Sequence, residues 1–347
     1  MNKKEQAIFD ERLNAVANVL GQQISTTNAL ELAKQIVRGA DGGSEFDEGF
    51  DNWLENRFIP QTIWLSSDDY ARGITRALPQ ALIFAGSDFG SSKQRDLGQL
   101  WTDTARGLLG EISVQRFFTE RLGVQIEQDT SLDLDIDDYI STDIKRVQEP
   151  SGEYRTTKIN TSIKTGKFNA RWLDEYSAPK NSHIDAFIFV RLGTPKEHFV
   201  SYLKDISFLK TKLFPKAIEL GELTADSSSA LWDSIPQFEP IPAYISGFLM
   251  QKDLNSPIHS VTAEIAGSEN YRGKKDTRRI YIKKGVGVFT RNNLYAIPEF
   301  QNLDPEHKLK IIIDGIGSEI ENKDHFYANT GSFSYGIENW QRFIASL

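Results

Sequence analysis

The chain of 347 residues has no cysteine. This removes disulfides and thiolate metal sites from its chemistry and fits a cytoplasmic protein without demanding one. Long apolar runs are missing as well. None approaches the roughly 20 residues that a membrane-spanning helix needs, and the opening Met-Asn-Lys-Lys-Glu-Gln lacks the apolar segment of a secretory signal. There is no internal repeat and no linker composed to stay disordered. Histidine is scarce: His183, His198, His259, His307 and His325 are scattered without zinc-ligand spacing and read as ordinary surface or core residues. What remains is ordinary globular material, 39% hydrophobic and 25% charged, enough for one large α/β domain or two to three smaller ones.

A net charge of −8 argues against a nucleic-acid partner only if the charge is evenly spread, and it is not. Asp41, Glu45, Asp47, Glu48, Asp51 and Glu55 crowd one segment without a base. Arg272, Lys274, Lys275, Arg278, Arg279, Lys283, Lys284 and Arg291 crowd another, with Asp276 the single acid. The basic cluster lies on an alternating strand-like run, RRIYIKKGVGVF, and can serve either as a phosphate-facing ribbon or as a solvated face.

Three regions follow from the pattern. Residues 1–92 read as a helical N-terminal region, with two helices in 3–40 capped near Thr26 or Thr27, and a third after Ser66 that stops around Pro79. Residues 93–215 form the core region. It starts with a long helix over 93–122, where Leu97, Trp101, Ala105, Leu108 and Ile112 keep helical spacing. Strands follow, then a short helix over 168–176, then Ile184–Val190, apolar but for Asp185 and typical of a buried central strand. Residues 216–347 mix strands and turns and close with a helix near 337–346. The order implies an α/β protein with a mixed central β-sheet flanked by helices, and an α+β C-terminal region.

The most informative stretch is a hairpin, with strands at 143–148 and 154–165 joined by Glu149 to Glu153. A two-residue turn with Gly152 first sets Asp143 opposite Ser162, with Lys164 further along the same face. Ile140, Ile144, Ile159 and Ile163 share the other face, so this register buries four isoleucines and exposes Asp143, Ser162 and Lys164 together. A carboxylate and a lysine held together are the minimum for metal-dependent phosphodiester cleavage: hard oxygen ligands suit Mg²⁺, and a cation offsets developing charge. Two acids are candidates for a second metal carboxylate. Glu175 shares a helical face with Trp172 and Phe168, or else pairs with Arg171 at i−4. Glu111 lies beside the buried stripe of the long helix, between a site role and a buried hydrogen bond, with Gly107 and Gly110 allowing close approach to the sheet. The acidic run from Asp133 to Asp138 fails as a calcium loop, since Asp138 and Ile144 stand where Gly and Glu are required. It reads as a half-exposed strand, with Asp138 a substitute for Asp143 if the turn lies elsewhere.

Gly110-Glu111 on a helix, Thr142-Asp143-Ile144, Ser162-Ile163-Lys164 and then Glu175 together resemble the PD-(D/E)xK nuclease superfamily. The likeness is to type II restriction endonucleases in which Ser replaces the first acid of the (D/E)xK pair and an acid from the next helix substitutes for it. It covers about residues 93–192, with a general likeness at Pro242–Gly247; Thr142 stands where the family name has Pro. The resemblance implies a restriction-endonuclease-like core that cleaves double-stranded DNA at a specific site with Mg²⁺, usually as a homodimer. Asp143, Lys164, Glu175, Glu111 and Ser162 would form the catalytic set, the first, third and fourth of them on the metal. Lys167, Asn169 and Arg171, with Arg272, Lys274, Lys275, Arg278, Arg279, Lys283 and Lys284, would contact DNA. A DNA-binding protein on a decayed nuclease core, or a repair or junction nuclease, are the alternatives.

Overall fold

Two segments dominate the interior because they carry almost no polar side chain: every residue of 186–192 is buried, and all but the last of 241–250. A strand buried on both faces must be apolar throughout rather than alternating. The protein is described by a computed structural model over residues 3–38, 49–87, 96–128, 142–176, 183–254, 263–266, 277–280, 286–289, 310–313 and 325–347. The chain begins with α1 (Lys3–Leu20), α2 (Thr26–Arg38) and α3 (Phe50–Trp53), the last continuing as a π-helical turn through Phe58. Then come β1 (Thr62–Leu65), α4 (Ser67–Ser87), α5 (Leu97–Leu122), β2 (Ile126–Gln128), β3 (Ile144–Gln148), β4 (Tyr154–Thr156), β5 (Thr161–Lys167), β6 (Trp172–Tyr176) and β7 (Ala186–Leu192). The second half holds α6 (His198–Asp205), α7 (Phe214–Glu219), α8 (Ala225–Ser234), β8 (Ile241–Met250) and α9 (Gln251–Leu254). It closes with β9 (Ala263–Ala266), β10 (Thr277–Ile280), β11 (Val286–Phe289), β12 (Lys310–Ile313), β13 (His325–Asn329) and α10 (Ile337–Ser346).

The central sheet runs β1-β8-β7-β5. β5 and β7 are parallel and the other pairs antiparallel, so the sheet is mixed and the class is α/β. Its strands come from all three regions of the sequence: β1 lies in the mostly helical N-terminal part and β8 in the C-terminal part. One face carries Ile163, Ile188, Val190 and Ile245 against Leu109, Ile112 and Phe117 of α5 and Trp340 of α10. The opposite face carries Phe187, Phe189 and Leu249 against Leu173 and Phe333. A third apolar cluster joins α1 and α2 to Phe58, Phe168 and Tyr244. Two buried polar side chains tie the regions together. Arg57 donates to the carbonyls of Ser246 and Thr330. Gln61 donates to the Ile245 carbonyl and accepts from the Trp340 indole.

Some boundaries differ from the sequence reading. The cap of α2 is Ser25, whose hydroxyl accepts from the Asn28 amide. Helix α4 does not stop at Pro79 but runs through it, because tertiary packing, with Ala77 and Ala81 fully buried, outweighs one lost backbone bond. The expected helix over 168–176 is instead a turn followed by β6, which pairs with β13. The expected ribbon over the basic run is divided: β10 pairs with β9 and β11 with β13, in separate sheets.

Helix α5 positions everything that follows. The Asp96 side chain accepts from the Gln99 amide at its start, and Gly123 closes it with a left-handed φ of 69°. It rests on β5 at Gly110, where an added Cβ would collide with Thr165 Oγ1; Gly107 faces open space, though its carbonyl accepts from Thr165. Gly110→Ala should therefore destabilise the protein by about 1–3 kcal/mol in urea denaturation, as overpacking does. Gly110→Ala combined with Thr165→Ala should recover part of the loss, whereas an unchanged midpoint for the single variant would show that α5 can move away freely.

Candidate active site

The hairpin forms, with a different register from the one expected. Arg146 opposes Thr156, Val147 opposes Arg155 and Gln148 opposes Tyr154. The turn holds Pro150, Ser151 and Gly152 between Glu149 and Glu153, closed by the Gly152 amide on the Glu149 carbonyl. Gly152 sits at φ 90°, the left-handed position that three-residue hairpin loops favour for glycine. The strand is then interrupted. The Thr157 amide still bonds to the Lys145 carbonyl, but the Asp143 amide bonds to Thr161, not Ile159. Asp143 thus stands opposite Thr161 rather than Ser162. The observed register differs from the expected one by an odd number of residues, so the hairpin does not set Asp143 and Ser162 on one face or Ile144 and Ile163 on the other. Ile144 and Ile163 are nonetheless both buried in the main core and Ile159 packs against it; residue 140 lies outside the described residues.

Asp143 occupies the bend before β3 and is half-buried. It and Thr142 cover the edge of β5 with side chains as well as with the Asp143 amide on the Thr161 carbonyl. The Thr161 amide donates to Thr142 Oγ1 at 2.9 Å, and the Ile163 amide donates to Asp143 Oδ2 at 2.5 Å. The carboxylate is thereby fixed against the strand that carries Ser162 and Lys164. A carboxylate has several lone-pair directions, of which this amide takes one.

Along β5, Ile163 and Thr165 turn toward α5, so alternation sets Ser162 and Lys164 on the other face. Ser162, expected at the surface, is buried at 9% exposure, and Lys164 is half-buried. Their register partners on β7 are Phe187 and Phe189, the residues on which Leu173 of β6 packs. The strand bearing Glu175 therefore lies over the same sheet face as Ser162 and Lys164. Glu175 is paired in register with Phe326, in a strand rather than the expected helix, so an i−4 pairing with Arg171 along a helix is excluded.

Glu111 approaches from the α5 side. Its carbonyl accepts from Gln128 Nε2 at 2.6 Å, and Gln128 pairs with Ile144, the residue after Asp143. Its carboxylate lies 3.8 Å from Arg76, with 18% of the side chain exposed. Among the described residues no group of three or more His, Asp or Glu side chains converges as a metal cluster. Mg²⁺ does not need one, because it keeps several waters and commonly takes one or two protein carboxylates together with substrate phosphate. Asp143, with Glu111 or Glu175, supplies hard oxygen donors of that kind, and the donor set fits the ion.

Of the expected DNA-contacting residues, Lys167 ends β5 and is exposed, Asn169 is exposed in the following turn, and Arg171 is half-buried with its carbonyl held by the Thr330 amide. Arg278 and Arg279 lie in β10. Arg272, Lys274, Lys275, Lys283 and Lys284 fall outside the described residues, as does Asp138. The sequence reading missed Thr142, Gln128 and Arg76 as members of this neighbourhood. Only Thr142 left a signal, its place beside Asp143.

Thr142→Val preserves shape and removes the acceptor for the fully buried Thr161. It should cost about 1–3 kcal/mol in urea denaturation, the penalty for a buried donor left unpaired. A loss under about 0.5 kcal/mol would mean that the β5 edge is satisfied without the hydroxyl. No family model, no curated protein and no solved structure matches the chain.

Proposed function

We propose that the protein is a Mg²⁺-dependent endonuclease that cleaves double-stranded DNA at a specific site, on a restriction-endonuclease-like core. The observation that carries this reading is the Asp143 carboxylate bound to the Ile163 amide, one residue from Lys164 on the same strand. The carboxylate is held there by a backbone amide beside a strand that carries a lysine, a preorganisation that would serve phosphoryl chemistry. Asp143 and Glu175 would hold Mg²⁺, with Glu111 acting directly or through water. When bound, the ion supplies charge to a non-bridging phosphate oxygen and acidifies water. Lys164 would donate to the attacking water or to the phosphate as negative charge builds. Lys167, Asn169, Arg171 and the basic segment over 272–284 would neutralise phosphates. A palindromic site would most simply be read by a homodimer, and such a protein would work in the cytoplasm.

A long unmethylated duplex should be cut to discrete ends in Mg²⁺ and left intact in EDTA, with Ca²⁺ supporting binding and little cutting. Asp143→Ala and Lys164→Ala should each lower the rate by at least about a hundredfold, the scale of one electrostatic contribution, without loss of Ca²⁺-dependent binding. Glu175→Ala should match them and Glu111→Ala should be milder; the reverse order moves the second ligand to α5. Cutting that persists in EDTA would falsify the metal mechanism. Specific binding without cutting in any divalent ion favours the decayed core, for which the buried Ser162 in place of an acid is the supporting observation.

A further inference from the structure

A second concavity lies beyond the far end of β5, away from Asp143. It has a volume of about 420 Å³, within the range of small-molecule sites, and opens where the parallel strands β5 and β7 end, at Lys167 and Leu192. Crevices outside the carboxyl ends of parallel strands are the usual ligand position in α/β sheets. Lys167 is about 10 Å along β5 from Lys164 and alternates to the opposite face, so the two places are separate.

The lining is of two kinds. Tyr70, Trp101 and Phe199 supply aromatic surface, and Arg106, Lys167 and Lys196 supply positive charge. Among the described residues no Asp or Glu lines the cavity. The aromatic wall is held in place before any ligand arrives. The Trp101 indole donates to the Ile74 carbonyl at 2.7 Å and meets Phe199 edge-on, while Tyr70 meets His198 edge-on. Tyr70 is 4% exposed, and no described residue hydrogen-bonds its hydroxyl; burial pushes its pKa up to about 12, so it stays a donor. His198 donates from Nδ1 to the Pro195 carbonyl, and burial lowers its pKa, leaving Nε2 an acceptor at neutral pH. Two of the cations touch acids outside the cavity, Arg106 with Asp103 at 3.1 Å and Lys196 with Glu31 at 3.5 Å. Both pairs are partly solvated, and such pairs are weak enough to yield to a phosphate.

We propose that this cavity binds a nucleotide, its base against Trp101, Phe199 and Tyr70 and its phosphate on Arg106, Lys167 and Lys196. A planar ring joined to a compact anion is the chemistry that meets both linings, with Thr102 and Thr194 available to sugar hydroxyls. The inference does not rest on the nuclease reading. The nucleotide can be free or part of a strand, and the test separates the two.

Calorimetric titration of the full chain would use the four nucleoside 5′-monophosphates, the matching nucleosides, inorganic phosphate and a 5′-phosphorylated single-stranded oligonucleotide. At least one monophosphate should bind more tightly than its nucleoside or phosphate alone. Arg106→Gln should weaken it by about tenfold or more, the loss expected for a charge-assisted contact, and Trp101→Leu should do the same, both at unchanged melting temperature. Should Trp101→Leu fail to fold, Lys196→Gln takes its place. Binding of the oligonucleotide alone, with the same sensitivity to Arg106→Gln, assigns the site to a strand. No binding of any probe at millimolar concentration, or binding indifferent to both substitutions, overturns the proposal.

Discussion

Everything at the candidate site depends on how the free edge of β5 is satisfied. On one side β5 is paired in parallel with β7 along its whole length. On the other side the hairpin strand reaches it only at its end, and the buried amides of Thr161 and Ile163 need acceptors. Thr142 and Asp143 provide them with an oxygen each. A carboxylate placed there for backbone reasons alone would already be rigid, half-buried and next to a lysine-bearing strand. The hydrogen bond that completes the fold is thus the one that aims the acid.

Helix α5 and strand β6 bracket this edge from opposite faces of the sheet. Contact through Gly110 brings α5 close to β5, with Glu111 on that side. Packing of Leu173 brings β6 over the face of Phe187 and Phe189, with Glu175 in that strand. The two acids are thus carried on opposite sides of the sheet, and β6 lies on the side of Lys164. The proposal that Glu175 serves as the second carboxylate rests on this placement of its strand.

Features governed by local chemistry were legible in the sequence. The long helix α5 follows from the helical spacing of Trp101, Ala105, Leu108 and Ile112, and the burial of β7 from its almost wholly apolar run. Features set by distant partners were not. Trp172–Tyr176 carries both helical and strand patterns, and pairing with β13, far along the chain, decides between them. The three-residue turn at 150–152 and the interruption at 157–160 set a register that the hydrophobic pattern did not give, and Ile144 and Ile163 reach the core without facing each other in one ladder. Ser162 looked exposed because its sheet face was expected to be open, whereas the layer built on Leu173 and Phe333 covers it.

The central sheet also carries a consequence for how the chain assembles itself. Among the described strands β1 pairs with β8 alone, Thr62 opposite Tyr244, and Gln61 and Arg57 find their partners in β8, in Thr330 and in α10. Contacts so distant in sequence are closed late, since their loop entropy is spent before any burial is gained. Helices α1 and α2 can associate early, but β1 waits with its edge open until β8 arrives beside β7. During synthesis or refolding that waiting edge is where this protein is most exposed to pairing with the wrong strand.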